Sequence, residues 1–171
     1  FPGLAFKIAR PDLDVTLLDA TNKRVNFLQQ AAEHIGVQVC CIHARAEEAG
    51  QNKELREQFD IACARAVSHL RTLSEYCLPF VKVGGCFLAL KGPQLEEELA
   101  QAQNAIKELG GRVDKVIAYS LPDSSQRTLV AVKKISQTLA KYPRPSAKMA
   151  KKPVYGNESI SSLKGADRVR R

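Results

Sequence analysis

Polar or charged residues stand at or just beyond the ends of four apolar runs in this chain, and those places are where chemistry is to be sought. Asp19 closes the run 15–18, and Arg45-Ala46-Glu47 follows 37–42. Arg65-Ala66 follows 59–64, and Lys91-Gly92 follows 86–90. An acid at a strand end accepts hydrogen bonds from ribose hydroxyls, although the same position suits the N-cap of a following helix. A guanidinium and an ammonium on successive strand ends favour an anion-handling cleft, although each taken singly is an ordinary surface charge. His34 on a helix flank, His43 after a strand and His69 at a helix start read as structural. Cys40, Cys41, Cys63, Cys77 and Cys86 lie on apolar segments without Cys-x-x-Cys spacing, so they read as buried small hydrophobes, not metal ligands.

Strands and helices must alternate to bring such ends together, and the hydrophobic period switches accordingly. After the first strand, Thr21 is placed to cap a helix to about Ile35. Its Val25, Leu28, Ala32 and Ile35 recur at helical spacing, and Gly36 stops it. A strand over 37–42 follows, then a polar segment with a short helix over about 53–58, then a strand over 59–64. A helix from 69 to about 78 ends before Pro79, and Gly84-Gly85 turns the chain into the strand 86–90. The helix 94–109 carries Glu96, Glu97 and Glu98 in its first turns, where the helix dipole favours acids. Strands 113–121 and 128–135 are joined only by turn residues and should pair antiparallel. The order predicts an α/β fold with a mainly parallel sheet, helices on both faces and a C-terminal antiparallel hairpin. Ligands bind such sheets at the carboxyl ends of the strands.

The 171 residues suffice for one ordinary domain, and no run approaches the roughly 18 apolar residues of a membrane span. Five cysteines without framework spacing argue for a reduced, cytoplasmic protein and against a secreted disulfide scaffold. Nine of the 26 Lys and Arg, but only two of the 18 Asp and Glu, lie in 141–171. That stretch therefore carries seven of the eight net positive charges. With Pro143, Pro145 and Pro153 and no sustained apolar period, it reads as a flexible basic arm on a near-neutral body, 1–140. Charge alone leaves a solubilising tail and a nucleic-acid-binding arm equally open.

Along the chain stand Thr16-Leu17-Leu18-Asp19, Asn22-Lys23-Arg24-Val25, Phe27-Leu28, Arg45-Ala46-Glu47, Ala64-Arg65-Ala66, Ala89-Leu90-Lys91-Gly92 and Lys141-Tyr142-Pro143-Arg144. With these, from Phe1 to about Val154, the chain resembles the bacterial small-subunit ribosomal RNA guanine-N7 methyltransferase family, also called glucose-inhibited division protein B. Phe1-Pro2-Gly3 resembles the end of that family's glycine-rich motif. The strand and Gly-x-Gly-x-Gly turn that precede it in the family are not in this sequence, so an N-terminally truncated member, inactive by itself, is expected. Ala20-Thr21 stands where the family often has Ser-Leu, a mild departure.

The resemblance implies a class I S-adenosylmethionine-dependent methyltransferase fold, Rossmann-like, whose first strand is missing between the first and third strands visible here. It implies S-adenosylmethionine as cofactor, contacted by Phe1, Ala46, Glu47 and Arg65, with Asp19 on the ribose. Arg65 would meet either the cofactor carboxylate or the RNA, and Lys91 the substrate guanine or a phosphate. The implied partner is 16S rRNA in the small ribosomal subunit, met by a monomer without metal or membrane, and the basic arm would add affinity for RNA. No catalytic residue is assigned, because guanine N7 carries a lone pair and no proton, so positioning suffices. Another class I methyltransferase, or a non-catalytic RNA-binding module on the same fold, are the alternatives.

Overall fold

Apolar strands and amphipathic helices alternate as the periodicity requires, in a computed structural model that describes residues 2–65, 68–93 and 95–154. The order is α1 (Pro2–Ala9), β1 (Thr16–Asp19), α2 (Asn22–Ile35), β2 (Cys40–His43), α3 (Ala46–Ala49) and β3 (Phe59–Arg65). There follow α4 (Leu70–Cys77), a 3-10 turn (Leu78–Phe80), β4 (Val81–Lys91), α5 (Glu96–Glu108), β5 (Gly111–Ser120), β6 (Gln126–Lys134) and α6 (Ser146–Lys151). Strand β1 pairs parallel with β2, setting Asp19 opposite His43. The other strands form a sheet in the order β3-β4-β6-β5, with β3 and β4 parallel and β6 antiparallel to both its neighbours. Among the described residues no ladder joins β1 to β3. This is the class I methyltransferase order with its break where the resemblance puts the missing strand.

Helix α1, which the periodicity did not announce, contacts both β1 and β3 and so spans that break. A Cβ on Gly3 would lie 2.6 Å from Leu17 Cδ2, so the absence of a side chain there lets α1 lie against β1. The small core beneath holds Leu4, Leu17, Leu28 and Ala32. The larger core joins Phe87, Val130 and Val132 of the four-stranded sheet to Leu70 and Leu73 of α4 and Ile106 of α5. Burial of such side chains contributes about 1.5–3 kcal/mol each.

Three local readings need correction. The segment 53–58 is a series of turns, because Arg56 and Glu57 are committed to distant backbone and Glu57 has a φ of 54°. The short helix lies earlier, at α3. Gly84-Gly85 does not precede a strand but forms a bulge inside β4, where the register slips between Phe59–Val81 and Ile61–Cys86. A Cβ on Gly85 would meet the Asp60 carbonyl at 2.5 Å, so only glycine fits there. Thr21 occupies the N-cap of α2 without a side-chain cap bond; Asp19 Oδ1 accepts its N–H instead, at 2.8 Å.

The largest departure concerns the basic arm. Residues 141–154 are not extended: Tyr142, Met149 and Val154 are buried, and Pro143 packs on Gly50. Arg56 fastens the approach to this segment, with Nη1 donating to the carbonyls of Gly50 and Tyr142 and Nη2 to those of Thr138 and Leu139. Lys141 pairs with Glu108 at 2.9 Å, and Arg144 with Glu75 at 2.6 Å. Charge and proline content concealed three well-spaced apolar anchors. The arm beyond residue 154 lies outside the described residues.

Candidate functional site

Two parallel strand ends build the first half of the site. Asp19 ends β1, and the Ala44 N–H donates to its carbonyl at 3.2 Å, so the chain leaving β2 is held beside it. Ala46, two residues on, begins α3. Its first-turn N–H has no intrahelical acceptor and finds no other among the described residues. The Asp19 carboxylate is 26% exposed; Oδ1 takes the Thr21 N–H and Oδ2 lies 3.6 Å from Arg24. Cap and ligand roles are thus compatible, since Oδ1 can serve the helix while Oδ2 faces an incoming hydroxyl.

Glu47 is more enclosed. Burial drives its carboxyl upward, but hydrogen bonds from Arg45, its own backbone N–H and Ser146 outweigh this and hold it below the ordinary carboxylate range. Arg45 Nε donates to Glu47 Oε1 at 2.9 Å and its Nη2 to Ser146 Oγ at 3.2 Å. The segment expected to border an adenine is therefore tied to the first residue of α6, a link no local sequence signal announces. His43 Nε2 lies 3.2 Å from the Ala20 carbonyl at the same end.

The second half lies on the other sheet. Arg65 ends β3 opposite Leu90, which places it next to Lys91 at the end of β4. Arg65 is exposed and has no hydrogen-bond or ion-pair partner among the described residues. Lys91 differs. Only 9% of its side chain is exposed, and Nζ is shared between Glu98 Oε1 at 2.6 Å and the Ser68 carbonyl at 2.9 Å. Glu98 also accepts the first N–H of α4, from Leu70, and stands 4.0 Å from His69 Nδ1. The ammonium expected to meet a guanine or a phosphate is thus engaged in clasping the start of α4 to the end of β4. Its strand-end position was legible; its partner, seven residues along on α5, was not. Glu98→Ala is expected to cost about 2 kcal/mol, since it strands a nearly buried ammonium and an amide together. Urea denaturation checks this, and a loss below about 0.5 kcal/mol would return Lys91 to the pool of free cations. Phe1 lies outside the described residues.

Two open grooves, of about 460 and 420 Å³, lie at the opposite, amino-terminal ends of the strands, around Val39 and Gly85, and so do not mark this site. Among the described residues no three His, Cys, Asp or Glu gather as a metal site requires, and no helix is long and apolar enough to cross a membrane. All five cysteines are free; burial, with Cys63 close by, pushes the Cys77 thiol up to about 12, which keeps it protonated and unreactive.

Comparison with known proteins shows the fold and the family. The fold is shared with a geranyl diphosphate methyltransferase solved in complex with SAM (TM-score 0.56, 12% identity, 77% of this chain and 73% of that one). It is shared also with an rRNA methylase from Streptococcus thermophilus (TM-score 0.50, 16% identity, 72% of this chain and 74% of that one). At such identities the likeness shows a class I methyltransferase fold. Sequence goes further. Proteins named ribosomal RNA small subunit methyltransferase G from Lactobacillus delbrueckii subsp. bulgaricus and Alkaliphilus metalliredigens are each 50% identical over 156 residues, 90% of this chain. The chain spans 65% of the length of each. The family model for rRNA small subunit methyltransferase G matches residues 1–130, the stretch that holds Asp19, Ala46, Glu47, Arg65 and Lys91. By this match the chain belongs to the rRNA small subunit methyltransferase G family.

Proposed function

We propose that this chain serves the S-adenosylmethionine-dependent methylation of guanine N7 in 16S rRNA of the small ribosomal subunit. The observation that carries the reading is the hydrogen bond from the Ala44 N–H to the Asp19 carbonyl, which holds the approach to α3 at the carboxyl ends of two parallel strands. That juxtaposition offers a carboxylate oxygen to a ribose and, beside it, an N–H without a partner to a base. Family membership and the methyltransferase fold support the same reading.

The residues present fit the cofactor. Asp19 would hold the ribose hydroxyls. Ala46, which is small and half-buried, would admit the adenine and donate its backbone N–H, with Glu47 closing that border. Arg65, exposed and unpaired among the described residues, suits the cofactor carboxylate or an RNA phosphate; Phe1 would complete the pocket. When bound, the sulfonium supplies an electrophilic methyl group. What this chain's residues contribute is alignment: guanine N7 attacks through an in-plane lone pair, and no proton has to leave it. Because no proton leaves N7, neither His43, which lies beside the Ala20 carbonyl, nor His69, which lies beside Glu98, is needed as a base. The protein would act as a monomer in the cytoplasm.

Asp19→Ala, in a protein extended upstream to the length of its relatives, is expected to weaken S-adenosylhomocysteine binding about 30-fold by calorimetry. Methyl transfer to 16S rRNA, with the modified base mapped, is expected to fall with it. Asp19→Asn keeps an acceptor for the Thr21 N–H and separates the loss of the cap from the loss of the ligand. Unchanged affinity in both variants, or methyl transfer to a base other than guanine, would overturn the reading.

A further inference from the structure

Helix α6 carries Lys148 and Lys151 at a spacing of three, which sets them on one face, and Lys152 follows at once as the C-cap residue, which gathers three ammonium groups within five residues. All three are exposed, and none has an acid within ion-pair distance among the described residues. The nearby acids are already engaged: Glu75 by Arg144, Glu47 by Arg45 and Glu108 by Lys141. Like charges at such spacing destabilise a short helix. Six residues of helix do not form in water unaided. Tertiary contacts hold this one: Met149 is fully buried beneath it, Val154 is buried just after it, and Arg144 Nη1 donates to the Lys152 carbonyl at 2.8 Å. The fold thus spends packing to gather three repelling cations and leaves them uncompensated. At the other end, Ser146 Oγ accepts from Arg45, whose Nε holds Glu47, so the lysine-bearing helix is fastened to the expected adenine border.

We propose that α6 is a fixed phosphate-binding platform, on which Lys148, Lys151 and Lys152 engage the sugar-phosphate backbone of the RNA substrate next to the cofactor site. This rests on the RNA-methylating reading above and adds to it where the RNA lies and which residues hold it. A docked platform differs from a flexible arm in one measurable way: its contacts are made at a fixed place, so the salt dependence of binding reports those three charges and the geometry passes through Ser146 to α3. RNA is preferred to an anionic membrane because α6 presents no large exposed apolar side chain to insert: only Ala147 and Ala150 are exposed, and Met149 is buried.

The test is binding of the full chain to protein-free 16S rRNA across a salt series, comparing the unsubstituted protein with Lys148→Gln, Lys151→Gln and Lys152→Gln combined. Three backbone contacts contribute about 2 to the slope of log K against log salt, so the triple variant is expected to lose about that slope and to bind about 100-fold more weakly at 0.1 M salt. The corresponding triple Lys→Arg variant should retain both, and affinity for S-adenosylhomocysteine should stay unchanged in all three proteins. An unchanged slope in the glutamine variant, with RNA binding intact, overturns the platform and leaves the methylation reading standing. Absence of rRNA binding by the unsubstituted protein overturns both. Binding to vesicles of phosphatidylserine, but not to RNA, assigns the lysines to a membrane and equally overturns the proposal.

Discussion

Glu75→Ala is expected to lower the stability of the full chain by about 3–5 kcal/mol, the largest loss at any ion pair described. Glu75 is 1% exposed on α4 and would be an expensive buried charge on its own. Arg144 satisfies it through three donors: its backbone N–H and Nε reach Oε1 at 2.9 and 2.7 Å, and Nη2 reaches Oε2 at 2.6 Å. The forked pairing raises the Arg144 guanidinium above its ordinary value, the Glu75 hydrogen bond prevailing over burial. Alanine at 75 leaves Nε, Nη2 and the backbone amide of Arg144, a side chain only 20% exposed, without their acceptor. Because Arg144 also fixes the Lys152 carbonyl, the segment 141–154 should loosen first, and amide exchange there should quicken before the sheet melts. Glu75→Ala with Arg144→Met should cost less than the sum of the single changes, because the second removes the cation that the first leaves stranded. Denaturant unfolding of the four proteins checks this; strict additivity would show that the pair is not coupled.

The role of this pair explains what the amino-acid sequence revealed and what it hid. Strand ends were legible because apolar runs stop abruptly at Asp19, Arg65 and Lys91, and the hairpin because 122–125 is too short for a crossover. The break between β1 and β3 was legible only through resemblance, since periodicity cannot report which strands are neighbours. What stayed hidden was long-range pairing. Lys141-Tyr142-Pro143-Arg144 was readable as a motif, and its charges suggested an exposed arm, yet both cations are consumed by Glu108 and Glu75, which stand 33 and 69 residues away. Lys91 was legible as a cation at a strand end, but its acid, although only seven residues along, stands on the next helix, and periodicity does not report how that helix folds back on the strand. Side-chain partners across such separations leave no local pattern. Tyr142, Met149 and Val154 did leave one, but proline and lysine outnumber them in that stretch.

Lys134 provides the second large effect, with a pH dependence that identifies its cause. Its side chain is fully buried, and Nζ reaches the carbonyls of Leu78 and Val81 at 2.7 and 3.1 Å, Thr138 Oγ1 at 2.8 Å and Glu57 Oε1 at 3.1 Å. Thr138 passes the network on to the Leu109 carbonyl at 2.7 Å, so one ammonium ties the 3-10 turn, β4 and the loop before β3 to the end of α5. Lys134→Met should cost about 3 kcal/mol, chiefly by leaving two carbonyls without this donor and the Glu57 charge without its cation, held only by the Thr138 N–H. Glu57→Gln in the same protein should recover part of that loss by removing the stranded charge. Burial lowers the Lys134 pKa from its ordinary value, and Glu57 only partly opposes this. The folded state therefore releases the proton before the unfolded state does. Between the lowered value and the unfolded value of about 10.4, the unfolded chain binds more protons, so stability due to Lys134 rises with pH across that window. The stability of the unsubstituted chain relative to Lys134→Met should accordingly grow as pH rises towards the unfolded value of about 10.4, measured as paired urea midpoints. A difference that shrinks over the same range would mean that Glu57 outweighs burial and that the ammonium is held by charge more than it is penalised by enclosure.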